Sequence, residues 1–129
     1  MSSPVTEFMT QVPHSVGHDM NLETAKDMML KYSCHHLPVL DGGHLVGVLS
    51  DTDIRVAEKY KSNHDLRVED IMTDEPVVVE PTTDVFQVAM LMHQKKIGSV
   101  IVSATPDSPW GIFTATDALH YFTQKGENS

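Results

Sequence analysis

The 129-residue chain has one cysteine, Cys34. It can close no internal disulfide, and that usage fits a reducing, cytoplasmic location. Basic residues are scarce: 9 Lys and Arg stand against 18 Asp and Glu, for a formal net charge of −9. No Lys/Arg run offers a phosphate-tracking patch, which argues against nucleic acid as a bulk electrostatic partner. One anion held by local donors is still compatible with that charge. No apolar segment approaches the roughly 20 residues needed to span a bilayer, and no signal-peptide pattern opens the chain, so no membrane partner is expected. Aromatics make up only 6%, with a single Trp, but the hydrophobic fraction of 40% suffices for one compact domain or two half-domains sharing a core.

What the chain does have is an internal repeat. A shift of 63 positions matches Val5 with Val68, Met9 with Met72, Thr10 with Thr73, Val16 with Val79, Met29 with Met92 and Val39 with Val102. One further residue of shift matches Gly47 with Gly111, Thr52 with Thr116 and Asp53 with Asp117. A single net insertion thus separates the two copies. They divide the chain into repeat 1 at 5–60, a polar linker at 61–67 and repeat 2 at 68–123.

Each repeat reads as β-α-β-β-α. β-Branched residues at Ser15-Val16 and Val77-Val78-Val79 predict short strands. Helices follow, with Asn21 and Asp84 as N-caps and apolar faces at Leu22, Ala25, Met29 and at Val85, Val88, Met92, the helical spacing of three then four. Strands are expected at 37–40 and 99–103. Asp41-Gly42-Gly43 is read as a tight turn, replaced in repeat 2 by a longer loop through Pro106 and Pro109. Strands 45–49 and 110–113 then lead into helices near 52–60 and 116–123, with a frayed tail after Gln124. Three strands per repeat would leave one sheet face uncovered. The expected fold is therefore α/β (α+β), two such repeats packed sheet to sheet about a pseudo-twofold axis, with any site in the cleft between them.

The two best-matched stretches are Gly47-Val48-Leu49-Ser50-Asp51-Thr52-Asp53 and Gly111-Ile112-Phe113-Thr114-Ala115-Thr116-Asp117. Each takes a buried strand into a turn rich in hydroxyls and ending in a carboxylate. Such a turn caps a helix, and its unpaired N–H groups and short oxygens suit a phosphate and sugar hydroxyls.

With Phe8-Met9-Thr10-Gln11-Val12-Pro13, Ile71-Met72-Thr73-Asp74-Glu75-Pro76 and His36-Leu37-Pro38-Val39, these stretches make the chain resemble a tandem pair of cystathionine β-synthase (CBS) domains, a Bateman module, over nearly its whole length. The resemblance implies a stand-alone, non-catalytic regulatory module binding an adenosine-containing nucleotide (AMP, ADP, ATP or S-adenosylmethionine), forming a homodimer and acting on a separate effector protein. It implies a first ligand site of Ser50, Thr52, Asp53, His36, Thr73, Val78, Ile97 and Gly98. The second would hold Thr114, Thr116, Asp117, Ser99, Thr10, Ser15, Cys34 and His35. In that family each Asp carboxylate accepts from both ribose hydroxyls, a role an acceptor-only group fits. A basic residue often meets the phosphate; here those positions carry His35 and His36 in repeat 1 but Gly98 and Ser99 in repeat 2. Since a histidine is mostly neutral at neutral pH unless an anion charges it, affinity is expected to rise as pH falls from about 8 to 6. The alternative is a structural homodimerisation module whose sites bind nothing.

Other features read plainly. The 8 histidines include no HxH or HExxH spacing, so no metal site is expected. Met residues are read as packing, Trp110 as core, and Arg55 as solvated or paired with Glu58. Cys34 is read as a small buried side chain. No Gly-x-Ser-x-Gly, Walker A or paired-carboxylate pattern supports catalysis, so no catalytic residue or cofactor is expected. Apolar residues on the helices after each motif (Ile54, Val56, Ala57; Ala118, Leu119, Tyr121, Phe122) are assigned to a dimer contact.

Overall fold

The computed structural model describes residues 3–12, 14–60, 66–104 and 110–127. Residues 61–65 of the expected linker at 61–67, the two-proline loop at 105–109 and the Trp110 side chain lie outside the described residues.

Repeat 1 opens with a 3-10 turn, Val5–Glu7, and strand β1, Thr10–Val12. Strand β2 (Val16–Gly17), helix α1 (Leu22–Tyr32), the hairpin β3 (His36–Asp41) and β4 (His44–Ser50), and helix α2 (Asp51–Tyr60) follow. Repeat 2 opens with a short helix α3, Val68–Ile71, and strand β5, Thr73–Asp74. It continues through β6 (Val78–Val79), α4 (Val85–Lys95), β7 (Ser99–Val102), β8 (Trp110–Thr114) and α5 (Ala115–Glu127). The last helix runs to Glu127, three residues past Gln124.

Local chemistry accounts for the helix ends. The Glu23 N–H donates to Asn21 Oδ1 at 2.8 Å and the Phe86 N–H to Asp84 Oδ2 at 3.2 Å, the two expected N-caps. Both helices stop in a left-handed residue, Ser33 (φ 52) and Lys96 (φ 55). The β3–β4 turn takes Gly42 and Gly43 at φ 57 and 86, a region open to glycine.

The sheets differ from the three-stranded expectation. One has the order β2-β3-β4-β5, the other β1-β8-β7-β6. Each holds four strands because the lead-in of one repeat adds an edge strand to the sheet of the other. The chain accordingly divides into two compact units, Val12–Pro76 and Met1–Gln11 with Val77–Ser129. Spatial units are therefore offset from sequence repeats.

Within the Val12–Pro76 unit, β5 pairs antiparallel with β4, Val48 opposite Thr73, and Val68 of α3 is fully buried. In the other unit Val5 is fully buried in a core with Val85, Val88, Met92, Val100, Val102, Phe113 and Tyr121. The apolar faces of α1 and α4 are buried at the expected positions. Leu37, Pro38 and Val39 are buried in succession, as are Val100, Ile101 and Val102. Alternate strand residues point to opposite faces, so both faces of β3 and β7 are buried. Ile54 and Tyr121 also belong to the cores, at 2% and 5% exposure, and not to an outer contact face.

Candidate functional site

Each carboxylate-ended turn is built by running a strand straight into a helix, β4 into α2 and β8 into α5. At the first, the Asp53 N–H donates to Ser50 Oγ (3.1 Å) and the Ser50 N–H donates back to Asp53 Oδ2 (3.3 Å). At the second, the Asp117 N–H donates to Thr114 Oγ1 (3.3 Å), while the Thr114 N–H and hydroxyl donate to Asp117 Oδ2 at 2.9 and 3.1 Å. Both are reciprocal helix-starting boxes, with a carboxylate in the place a Glu or Gln often takes. The next helical N–H is satisfied by backbone: Asp51 N–H donates to the His35 carbonyl (3.0 Å) and Ala115 N–H to the Gly98 carbonyl (3.1 Å).

These boxes engage one oxygen of each carboxylate. Among the described residues, Oδ1 of Asp53 and Oδ1 of Asp117 accept no hydrogen bond, and both side chains are half-buried. Thr52 and Thr116 are exposed on the first turns of their helices. Thr52 Oγ1 lies 3.5 Å from Asp51 Oδ1 and accepts from Arg55 at 3.4 Å.

The remaining expected residues distribute by unit. His36 stands opposite Ser50 across β3–β4, and Ser99 opposite Thr114 across β7–β8. Thr73 reaches the first turn's unit through β5, and Thr10 the second turn's unit through β1, the strand beside β8. Val78, Ile97 and Gly98 belong to the Asp117 unit, and Ser15, Cys34 and His35 to the Asp53 unit.

His35 has a local partner that sequence reasoning missed. Its Nδ1 lies 2.8 Å from Asp51 Oδ2. Burial pushes the Asp51 carboxyl up, but the His35 hydrogen bond and charge, with Arg55, hold it below its ordinary value. The pair rims a groove of about 420 Å³ between α1 and α2, floored by Met29, Cys34 and Ile54. Burial raises the half-buried Cys34 thiol, which makes it a poor nucleophile. Of the two expectations for Arg55, the solvated one holds: it is exposed and donates to Thr52, while Glu58 is held by Lys26 at 2.7 Å. Among the described residues no group of three His, Cys, Asp or Glu side chains could hold a metal ion. No described helix is long and apolar enough to cross a membrane.

Known proteins place this geometry in context. The CBS domain family matches residues 5–60 and again 68–124. The chain belongs to the CBS domain family. A CBS domain-containing protein of Dictyostelium discoideum is 32% identical over 127 residues, covering 89% of this chain and 88% of its own length. Inosine-5'-monophosphate dehydrogenase of Korarchaeum cryptofilum is 30% identical over 106 residues, a match that covers 82% of this chain but only 21% of that enzyme. Among solved structures, a CBS domain pair in complex with 5'-methylthioadenosine and S-adenosyl-L-methionine superposes with a TM-score of 0.81 at 26% identity, over 97% of this chain and 99% of its own. The two-repeat α/β fold expected from the sequence is thus the fold of this family.

Proposed function

We propose that this CBS pair is a non-catalytic regulatory module whose two carboxylate-ended turns hold the ribose of an adenosine-containing ligand, S-adenosylmethionine, 5'-methylthioadenosine or an adenine nucleotide. The observation that carries the reading is the matched pair of turns, each offering a half-buried carboxylate with an oxygen that accepts no hydrogen bond among the described residues and an exposed threonine one residue before it. An ionised carboxylate is an acceptor suited to a vicinal diol. The similar CBS pair that binds two adenosine derivatives supports the ligand class. Ser50 and Thr114, His36 and Ser99, and Thr73 and Thr10 stand near the turns in this proposal, and the residues assigned from the opposite repeat complete each site. The module is further proposed to pair with a second copy and to act on a separate effector.

A thermal-shift panel of AMP, ADP, ATP, S-adenosylmethionine, 5'-methylthioadenosine and NAD at millimolar concentration tests it. A ligand present at 100 times its dissociation constant adds about 2.7 kcal/mol of stability. Asp53→Asn and Asp117→Asn keep an oxygen for the helix-starting box while removing the charge. At least one of them is expected to abolish the ligand-induced rise in Tm with little change in the ligand-free Tm. A panel with no shift at all, or shifts that survive in both variants, would favour a purely structural module.

A further inference from the structure

In the Val12–Pro76 unit, the segment leading into repeat 2 is held by more than backbone. The Glu69 N–H donates to the His18 carbonyl at 2.8 Å, and the Val68 N–H to the Met20 carbonyl at 2.9 Å. The other unit has the counterpart of the first bond, Thr6 N–H to the Pro81 carbonyl at 3.4 Å. Thr6 and Pro81 carry no titratable side chain. His18 and Glu69 do, and their side chains meet: His18 Nδ1 bonds Glu69 Oε2 on α3, while Nε2 lies 3.5 Å from Asp41 Oδ1 at the end of β3.

A neutral imidazole has a single N–H and can serve only one of these carboxylates, leaving a lone pair aimed at the other. The imidazolium donates to both. The groups facing the ring are acidic throughout: Glu69 from α3, Asp41 from β3 and Asp19 from the turn after β2. Of the basic groups nearby, Arg67 donates to the Asp19 carbonyl (3.4 Å), and His44 stands across the hairpin from Asp41.

We propose that His18 is a proton-operated clamp which, when charged, ties α3 to the end of β3 and fixes the segment 66–74 against the repeat 1 sheet. That segment carries Met72 over Gly47 and β5 along β4, so the clamp makes the strand exchange between repeats responsive to pH. The inference does not depend on any ligand. Its direction follows from linkage. The Glu69 hydrogen bond, against a smaller opposing effect of burial and with help from Asp41 and Asp19, holds the imidazole above its ordinary value. The stabilisation is therefore complete below the unfolded value of about 6.5 and is lost as pH rises through the higher folded value.

Amide hydrogen exchange over 66–74 of the ligand-free full chain, corrected for intrinsic rates, tests the clamp at about pH 6 and pH 8.5. Wild-type protection is expected to be about two- to fivefold greater at the lower pH, the range of an exposed ion pair. His18→Gln is expected to show the same protection at both values, at the wild-type level of pH 8.5. Identical pH dependence in wild type and variant would overturn the proposal. Should His18→Gln fail to fold, NMR titration of His18 in Glu69→Gln and Asp41→Asn replaces it. Each substitution is expected to lower the His18 pKa, and an unchanged value in both overturns the clamp.

Discussion

At the residue scale, the glycine that opens each motif is explained by a methionine from the other repeat. A Cβ on Gly47 would lie 2.6 Å from Met72 Sδ and 2.9 Å from the Thr73 carbonyl oxygen. The three atoms nearest a Cβ on Gly111 would all belong to the Met9 side chain, the closest at 2.3 Å. Methionine is flexible and can yield, whereas a strand carbonyl cannot without disturbing the β4–β5 pairing. Gly47→Ala is accordingly expected to cost about 1–3 kcal/mol in urea denaturation and Gly111→Ala less. Adding Met9→Ala should remove most of the Gly111→Ala penalty, while Met72→Ala should relieve Gly47→Ala only in part. Equal costs and equal rescue would mean that the Thr73 carbonyl is not the obstacle. The sequence shows both glycines and both methionines as matched letters. It does not show that each methionine sits over the glycine one repeat away, because that contact arises from strand exchange and not from local pattern.

At the element scale, duplicated helices have been given different outer faces. Lys26 and Glu58 form an ion pair on α1 and α2, and Arg55 lies beside them. The repeat places Ala89, Phe122 and Leu119 at the corresponding positions of α4 and α5, and Phe86 and Met90 where repeat 1 has Glu23 and Asp27. Phe86, Met90, Leu119 and Phe122 are 55%, 43%, 68% and 42% exposed. Replacing Leu119 and Phe122 with their repeat 1 counterparts, Leu119→Arg with Phe122→Glu, should leave stability within about 0.5 kcal/mol, since neither side chain is core. If the proposed homodimer uses this face, sedimentation should show association weakened at least about tenfold, or 1.4 kcal/mol. Unweakened association would move the dimer contact elsewhere. Periodicity made the inner faces legible, because Leu22, Ala25, Met29 and their counterparts follow the helical turn. The outer faces were less so: Ile54 and Tyr121 were assigned to a surface contact but are core, a distinction that depends on which turn of α2 and α5 meets the sheet.

At the scale of the whole molecule, the repeat visible in the sequence and the unit that packs are different objects, and they predict different fragments. Cut along the repeat, residues 5–60 keep Val5, a core residue of the other unit, and lose α3 and β5. They also lose buried Val68 and the backbone bonds Leu22 N–H to the Leu66 carbonyl and Val68 N–H to the Met20 carbonyl. Cut along the packing boundary, residues 12–76 retain all of these, along with Met72 over Gly47. The exchanged strands were not legible because they are two or three residues long and too short to show an alternating pattern. Circular dichroism should therefore find clearly more native helix in 12–76 than in 5–60, even though the fragments are of similar length. The same logic makes the other unit impossible to excise as one stretch, since it needs residues from both ends of the chain. Comparable structure in both fragments would mean that the lead-in segments decorate the sheets; greater structure in 12–76 means that each sheet is completed only by the strand its neighbour repeat supplies.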